Sequence, residues 1–132
     1  MRSFTGTNGR NHLMKSSFKA YWRDDGIRVI SAQDTSVETV QAWEQDALST
    51  VASYAGPQKR LYDLRNLNGI SIFALRAAIK INAHNNAGLA RVAVLANSVV
   101  VTRMVNVALS VQPGGTIRLF IDEAEAIAWL HN

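Results

Sequence analysis

The chain predicts a single α/β domain, ordered ββαβαβαβα, in which an N-terminal hairpin leads into a mostly parallel sheet with crossover helices. Three observations predict it. Apolar and polar residues alternate over Phe18–Arg23 and again around Leu61–Leu64, the period of half-covered strands. Other stretches carry apolar residues every three or four positions, the period of an amphipathic helix. Strand and helix then alternate to the C-terminus, which favours parallel strands joined by right-handed crossovers. No repeat or linker divides the 132 residues, and a chain near this length buries roughly two-thirds of its unfolded surface as one domain.

Residues 1–16 are rich in Ser, Thr, Asn and Gly without a hydrophobic period, and are expected to form a disordered basic tail ahead of a domain at 17–132. Asp24-Asp25-Gly26 is a hairpin turn between Phe18–Arg23 and Ile27–Ser31. Thr35 and Glu38 have capping-box spacing, and Val40, Trp43, Ala47, Val51 and Tyr54 give Ser36–Ala55 one apolar helix face, stopped by Gly56-Pro57. Lys59–Gly88 is a strand–turn–helix unit: the run at Leu61–Leu64, a turn over Asn66–Gly69, and a helix from Ser71 with Ile72, Leu75, Ile79 and Ala83 on its expected inner face. Ala90–Ala96 is a continuous apolar run, a strand covered on both faces. Ser98–Val111 is rich in valine and by propensity alone would be a strand. The capping residues Asn97 and Ser98 and the alternation of elements predict a helix instead. Pro113-Gly114-Gly115 makes a turn, Ile117–Ile121 is the last strand, and Asp122 with Glu125 starts a terminal helix expected to bury Ala124, Ile127 and Ala128.

Composition excludes several functions. There is no cysteine, so thiol redox chemistry, a thiolate nucleophile and zinc–cysteine sites are ruled out. The net charge of +4 resides in Arg2, Arg10, Lys15 and Lys19, while the acidic and basic residues after position 20 cancel. The domain is therefore neutral, and no nucleic-acid partner is expected. Neither a signal-peptide core nor an apolar run long enough to span a bilayer is present, and a cytoplasmic location is expected. His12 lies in the tail, His131 at the C-terminus, and His84 with Lys80 and Arg76 on one helix face; no two histidines have ligand spacing and no Gly-rich loop precedes a helix. No metal, no cofactor and no enzymatic activity are expected.

Two constellations remain. Ligands of open α/β sheets sit beyond the carboxyl ends of the strands, where this order of elements collects Asp63, Arg65, Asn68, Ser71, Asn97 and Ser98 as candidates for a ligand or a partner. Ser71, Asn97 and Ser98 also read as helix caps and Asn68 as a turn residue. The Val-rich helix carries more apolar surface than one stripe needs, which makes Val101, Met104, Val105 and Ala108 candidates for a dimer surface or for the wall of an apolar pocket.

The segment IRLFIDEAEAIAWLHN, with Phe120, Asp122 and the closing Ala128-Trp129-Leu130, resembles the C-terminal signature of the STAS-like family, bacterial proteins related in fold to the sporulation anti-sigma-factor antagonist. Tyr62-Asp63-Leu64-Arg65 followed by an apolar helix resembles that family's middle motif, and the element order agrees from about Phe18 to Asn132. The resemblance implies a compact, often dimeric α/β protein. The better-known antagonists bind a kinase-type partner and are switched by phosphorylation at the start of the helix after the third strand, within an Asp, two small hydroxyl residues and a Gly. Aligned on Asp63-Leu64, this chain has Ser71 in place of that Asp and Phe73 in place of the phosphorylated serine, so the switch does not carry over. The function expected is a non-enzymatic regulatory or protein-interaction module, homodimeric, with a protein partner; the alternative is a binder of a small apolar, lipid-like ligand near the Val-rich helix.

Overall fold

The computed structural model describes residues 16–53, 58–84, 90–111 and 117–132, with side chains left aside at 51–53, 82–84, 90 and 108–111. The expected tail before Ser16 and the turns at Gly56-Pro57 and Pro113–Gly115 lie outside the described residues, as do the side chains of His84 and Ala108. The elements are β1 (Lys19–Trp22), β2 (Ile27–Ser31), α1 (Val37–Ser53), β3 (Gln58–Asp63), α2 (Ile72–His84), β4 (Ala90–Leu95), α3 (Val99–Val111), β5 (Ile117–Phe120) and α4 (Glu123–His131). This is the order the sequence predicts.

The five strands lie in the order β1-β2-β3-β4-β5. β1 pairs antiparallel with β2 through a turn in which Gly26 takes φ +86, and every other pair is parallel. Each parallel strand is added on the same side of the one before, so right-handed crossovers carry α1, α2 and α3 to one face of the sheet. There α2 packs between α1 and α3, while α4 crosses the other face over β3, β4 and β5.

Strand alternation divides the core accordingly. Ile27, Val29, Leu61, Ala93 and Leu95 meet Ala126 and Leu130 of α4. Val92 and Val94 on the opposite face meet Leu67, Val101 and Val105. A smaller cluster, Val40 with Ala74 and Ala77, joins α1 to α2. β4 is covered on both sides, which explains its unbroken apolar run.

The helix faces depart from expectation in three places. Ser36, rather than Thr35, caps α1: its Oγ accepts from the Thr39 amide at 3.3 Å, and the Thr35 hydroxyl serves α2 instead. On α2 the buried residues are Ala74, Ala77 and Ile81, whereas Ile72 in the first turn is 67% exposed. Small residues are needed on the face that approaches α1, and those alanines turn the helix. On α4 the buried pair is Ala126 and Leu130, and Ala124 and Ala128 face outward. Asp122 does cap that helix, accepting from the Glu125 amide at 3.2 Å. The Val-rich segment is helical as predicted. A parallel crossover needs a dozen residues that return across the sheet, and this demand outweighs the strand propensity of valine.

β3 is central, and Leu61, 2% exposed, is its deepest residue toward α4. Leu61→Ala is expected to lower stability by about 2–5 kcal/mol, read as a fall in the urea midpoint. A loss below about 1 kcal/mol would contradict the packing described.

Candidate functional site

A cavity of about 110 Å³ lies between the sheet and the three-helix face. Its floor is the helix-side row of strand residues, including Ile30, Tyr62, Val92, Val94 and Ile117; its roof is Trp43 of α1, Ala74, Leu75, Ala78 and Ile81 of α2, and Val105 of α3. The walls are almost wholly apolar. Apart from the polar tips of Trp43 and Tyr62, the polar side chains of the lining are Asp34, Thr35 and Thr39 with Ser31, where the β2–α1 loop meets Phe18. Close-packed interiors leave few voids larger than a water molecule. The alanines that bring α2 toward α1 also leave unfilled volume above the sheet.

The polar rim is held by its own hydrogen bonds. The Thr39 hydroxyl donates to Asp34 Oδ1 at 2.7 Å and accepts from the Ser17 amide at 2.9 Å. The Ser36 amide donates to the same Asp34 oxygen at 3.0 Å. These donors, Thr39 foremost and Ser36 next, hold the Asp34 carboxyl down to about 2 from an ordinary 3.8. On the other side of the rim the Ser71 amide donates to Thr35 Oγ1 at 3.0 Å and the Ser71 hydroxyl to the Thr35 carbonyl at 3.1 Å. The loop entering α1 is thereby fastened to the start of α2.

The other strand-end candidates do not converge on a ligand-sized space. Arg65 grips Asp63 with Nε and Nη2 at 2.9 and 2.8 Å, and reaches Glu123 of α4 at 2.9 Å. The guanidinium lowers the Asp63 carboxyl's pKa, and the two carboxylates raise that of Arg65. Asp63 and Arg65 thus tie β3 to α4, on the face away from the cavity. Ser71 and Ser98 cap α2 and α3, accepting from Ala74 and Val101 at 3.1 and 3.3 Å. Asn68 and Asn97 are exposed. Of the Val-rich candidates, Val105 walls the cavity, Val101 is fully buried beside it, and Met104 is half-buried. Burial removes Val101 and Val105 from any outward contact surface; the exposed valines of α3 are Val99, Val100 and Val107. The basic strip expected on α2 is partly neutralised, because Lys80 pairs with Glu44 at 2.7 Å.

Two residues are not among the site candidates read from the sequence, although the sequence places Trp43 on the apolar face of α1. Arg60 is completely buried on the helix side of β3. Its Nη1 donates to Gln58 Oε1 at 2.7 Å and Thr50 Oγ1 at 3.0 Å, while Nε and Nη2 have no hydrogen-bond partner among the described residues. Trp43 Nε1 is likewise buried without a hydrogen-bond partner among the described residues. Its ring stands edge-on to Tyr62, with centroids 5.7 Å apart. Starting β3 at Leu61 makes Arg60 a flanking charge. The strand begins at Gln58, and alternation from Tyr62 then places Arg60 beneath the helices.

The model of the SpoIIAA-like family matches residues 26–131. The chain belongs to the SpoIIAA-like family. No curated protein matches it. Among solved structures, the SpoIIAA-like domain resembles an anti-sigma factor antagonist from Mycobacterium paratuberculosis, at 16% identity and a TM-score of 0.70, covering 91% of this chain and 97% of that one. An uncharacterized protein with a SpoIIAA-like fold from Shewanella loihica aligns at 22% identity and a TM-score of 0.64, over 86% and 91% of the two chains. RsbS from Moorella thermoacetica, in variant form, aligns at 16% identity and 0.69, over 89% and 97%. At these identities the likeness is one of fold, and it agrees with the STAS-like resemblance read from the sequence.

The depressed Asp34 pKa has a signed consequence. Its ionised form is favoured by folding, so its contribution is complete above about pH 4 and fades as the pH falls toward about 2. Asp34→Ala is expected to lower the urea midpoint at pH 7, with the gap to the unsubstituted protein narrowing between pH 4 and pH 3. A gap independent of pH would show that the Thr39 and Ser36 bonds are not what holds the loop.

Proposed function

We propose that this SpoIIAA-like protein is a non-enzymatic regulatory module that takes up a small apolar ligand between its sheet and its helices. The observation that supports this is the cavity of about 110 Å³ with apolar walls. An engineered apolar cavity of about 150 Å³ stays dry and binds benzene, so a void of this order suits a short alkyl chain or a single ring. Empty, it forfeits dispersion contacts that a ligand would restore. α2 provides much of the roof, and its first turn exposes Ile72 and Phe73. Occupancy below would bear on the position of that turn, where antagonists of this fold carry their phosphorylated serine and this chain has Phe73. A ligand, rather than a phosphate, is the input proposed here, and a regulatory protein partner the output.

Hexanol is a suitable probe. Its addition is expected to raise the melting temperature in a saturable way, and Ala78→Phe, which fills the roof, is expected to abolish that response while leaving the protein folded. No shift in the unsubstituted protein would overturn the proposal.

A homodimer is the second reading, favoured by the exposure of Val99, Val100 and Val107 at 67, 52 and 59% on α3. Val100→Asp is expected to convert a dimer to monomers in sedimentation velocity. An unchanged sedimentation coefficient in the folded variant would remove α3 from the contact.

A further inference from the structure

Among the described residues that line the cavity, Asp34 is the one that is exposed; the others are buried or half-buried. The apolar space therefore meets solvent beside Asp34, where the β2–α1 loop passes Phe18. Among the same residues Asp34 is also the one charged side chain. An amphiphile whose hydrocarbon fills the cavity must leave its head group at this mouth, because a polar group carried in among apolar walls without a partner is costly. What the mouth offers then decides the head group.

The donors of the mouth are already engaged. The Thr39 hydroxyl and the Ser36 amide donate to Asp34 Oδ1 at 2.7 and 3.0 Å. The amides of Gln33 and Asp34 donate to the Ser17 hydroxyl at 3.0 and 3.1 Å, and the Ser71 amide donates to Thr35. Accepting capacity remains. A carboxylate takes about four hydrogen bonds over its two oxygens, and both bonds named here end on Oδ1. The groups that hold Asp34, namely Thr39, Ser36 and Ser17, are neutral. Asp25, Asp46 and Asp63 each pair with an arginine, whereas Asp34 meets no cation among the described residues.

We propose that the ligand of this cavity is a primary alkylamine, held as its ammonium ion by Asp34 at the mouth, with one hydrocarbon chain lying over Tyr62, Val94 and Ile81. The proposal rests on the apolar-cavity reading and adds the head group to it. An ammonium brings three donors and one positive charge, which suits a single carboxylate with an open oxygen. A carboxylate head would bring a second negative charge and no donor. A diamine does not fit, because its far end would carry a charge in among apolar walls. The buried Arg60 does not line the cavity and takes no part.

The test is calorimetric titration of the full chain at pH 7 with hexylamine, hexanol and hexanoate, three probes of nearly the same body. Hexylamine is expected to bind about three- to fivefold more tightly than hexanol, the range of an ion pair at a solvent-facing site, and hexanoate more weakly than hexanol. Asp34→Asn keeps the shape and removes the charge; it is expected to erase the preference and leave hexanol binding in place. Ala78→Phe, which fills the roof, is expected to abolish binding of hexylamine together with that of hexanol. Equal affinities for hexylamine and hexanol, tightest binding by hexanoate, or a preference that survives Asp34→Asn would each overturn the amine and leave the apolar cavity standing. Hexylamine binding that survives Ala78→Phe would place the amine outside the cavity and overturn the proposal as well. Binding of none of the three probes would overturn the cavity reading itself. Should Asp34→Asn fail to fold, salt decides. In 1 M NaCl the screening length falls to about 3 Å, and the advantage of hexylamine over hexanol is expected to vanish; an advantage indifferent to salt would count against the ion pair.

Discussion

The handedness of the crossover connection is the constraint on which this structure depends. A parallel sheet grown strand by strand in one direction must place every right-handed crossover helix on the same face. α1, α2 and α3 therefore crowd one side, and a single short helix, α4, covers the other. The two halves of the core differ as a result. Opposite α4, Leu61, Ala93 and Leu95 meet one helix along its Ala126–Leu130 stripe. Beneath the three-helix layer, the helices must satisfy one another as well as the sheet. The alanines of α2 that admit α1 leave the space bounded by Trp43, Tyr62 and Val105.

The polar groups divide by the same geometry. Those at the carboxyl ends of the strands are consumed by architecture. Ser71 and Ser98 close helix starts, and Asp63, Arg65 and Glu123 bind β3 to α4. The carboxyl edge of an open sheet is the usual place for a ligand, but here its hydrogen bonds are already made. The unmade ones lie deeper, on Trp43 and Arg60. A buried cation held by Gln58, Thr50 and the face of Tyr62, with no carboxylate beside it among the described residues, is costly to keep.

The relation to anti-sigma factor antagonists is one of scaffold. The SpoIIAA-like domain shares their overall fold, with Phe73, 40% exposed, in the first turn of α2. The loop before α1 is laced to α2 through Thr35 and Ser71. That lacing ties the rim of the cavity to the turn that carries Phe73, so that the interior and the exposed start of α2 share one set of hydrogen bonds.

Much of the architecture was determined by sequence alone. Alternation in β1 and β3, the Asp-Gly turn, the unbroken run of β4 and the cap at Asp122 are local signals, set by residues within a few positions of one another. The segments that resemble the STAS-like family are local in the same sense. Even the Val-rich α3 was legible, since the order of elements overrode propensity. Which stripe of each helix turns inward was decided only by tertiary structure. Ile72 and Ala74 differ little as helix residues, and it is the approach of α1 that buries one and exposes the other. The cavity and the unsatisfied donors of Arg60 belong to the same class. A void is a relation among elements far apart in the chain, and a missing hydrogen bond is the absence of a partner. Neither has a residue pattern of its own, so both became visible only when the helices were laid on the sheet.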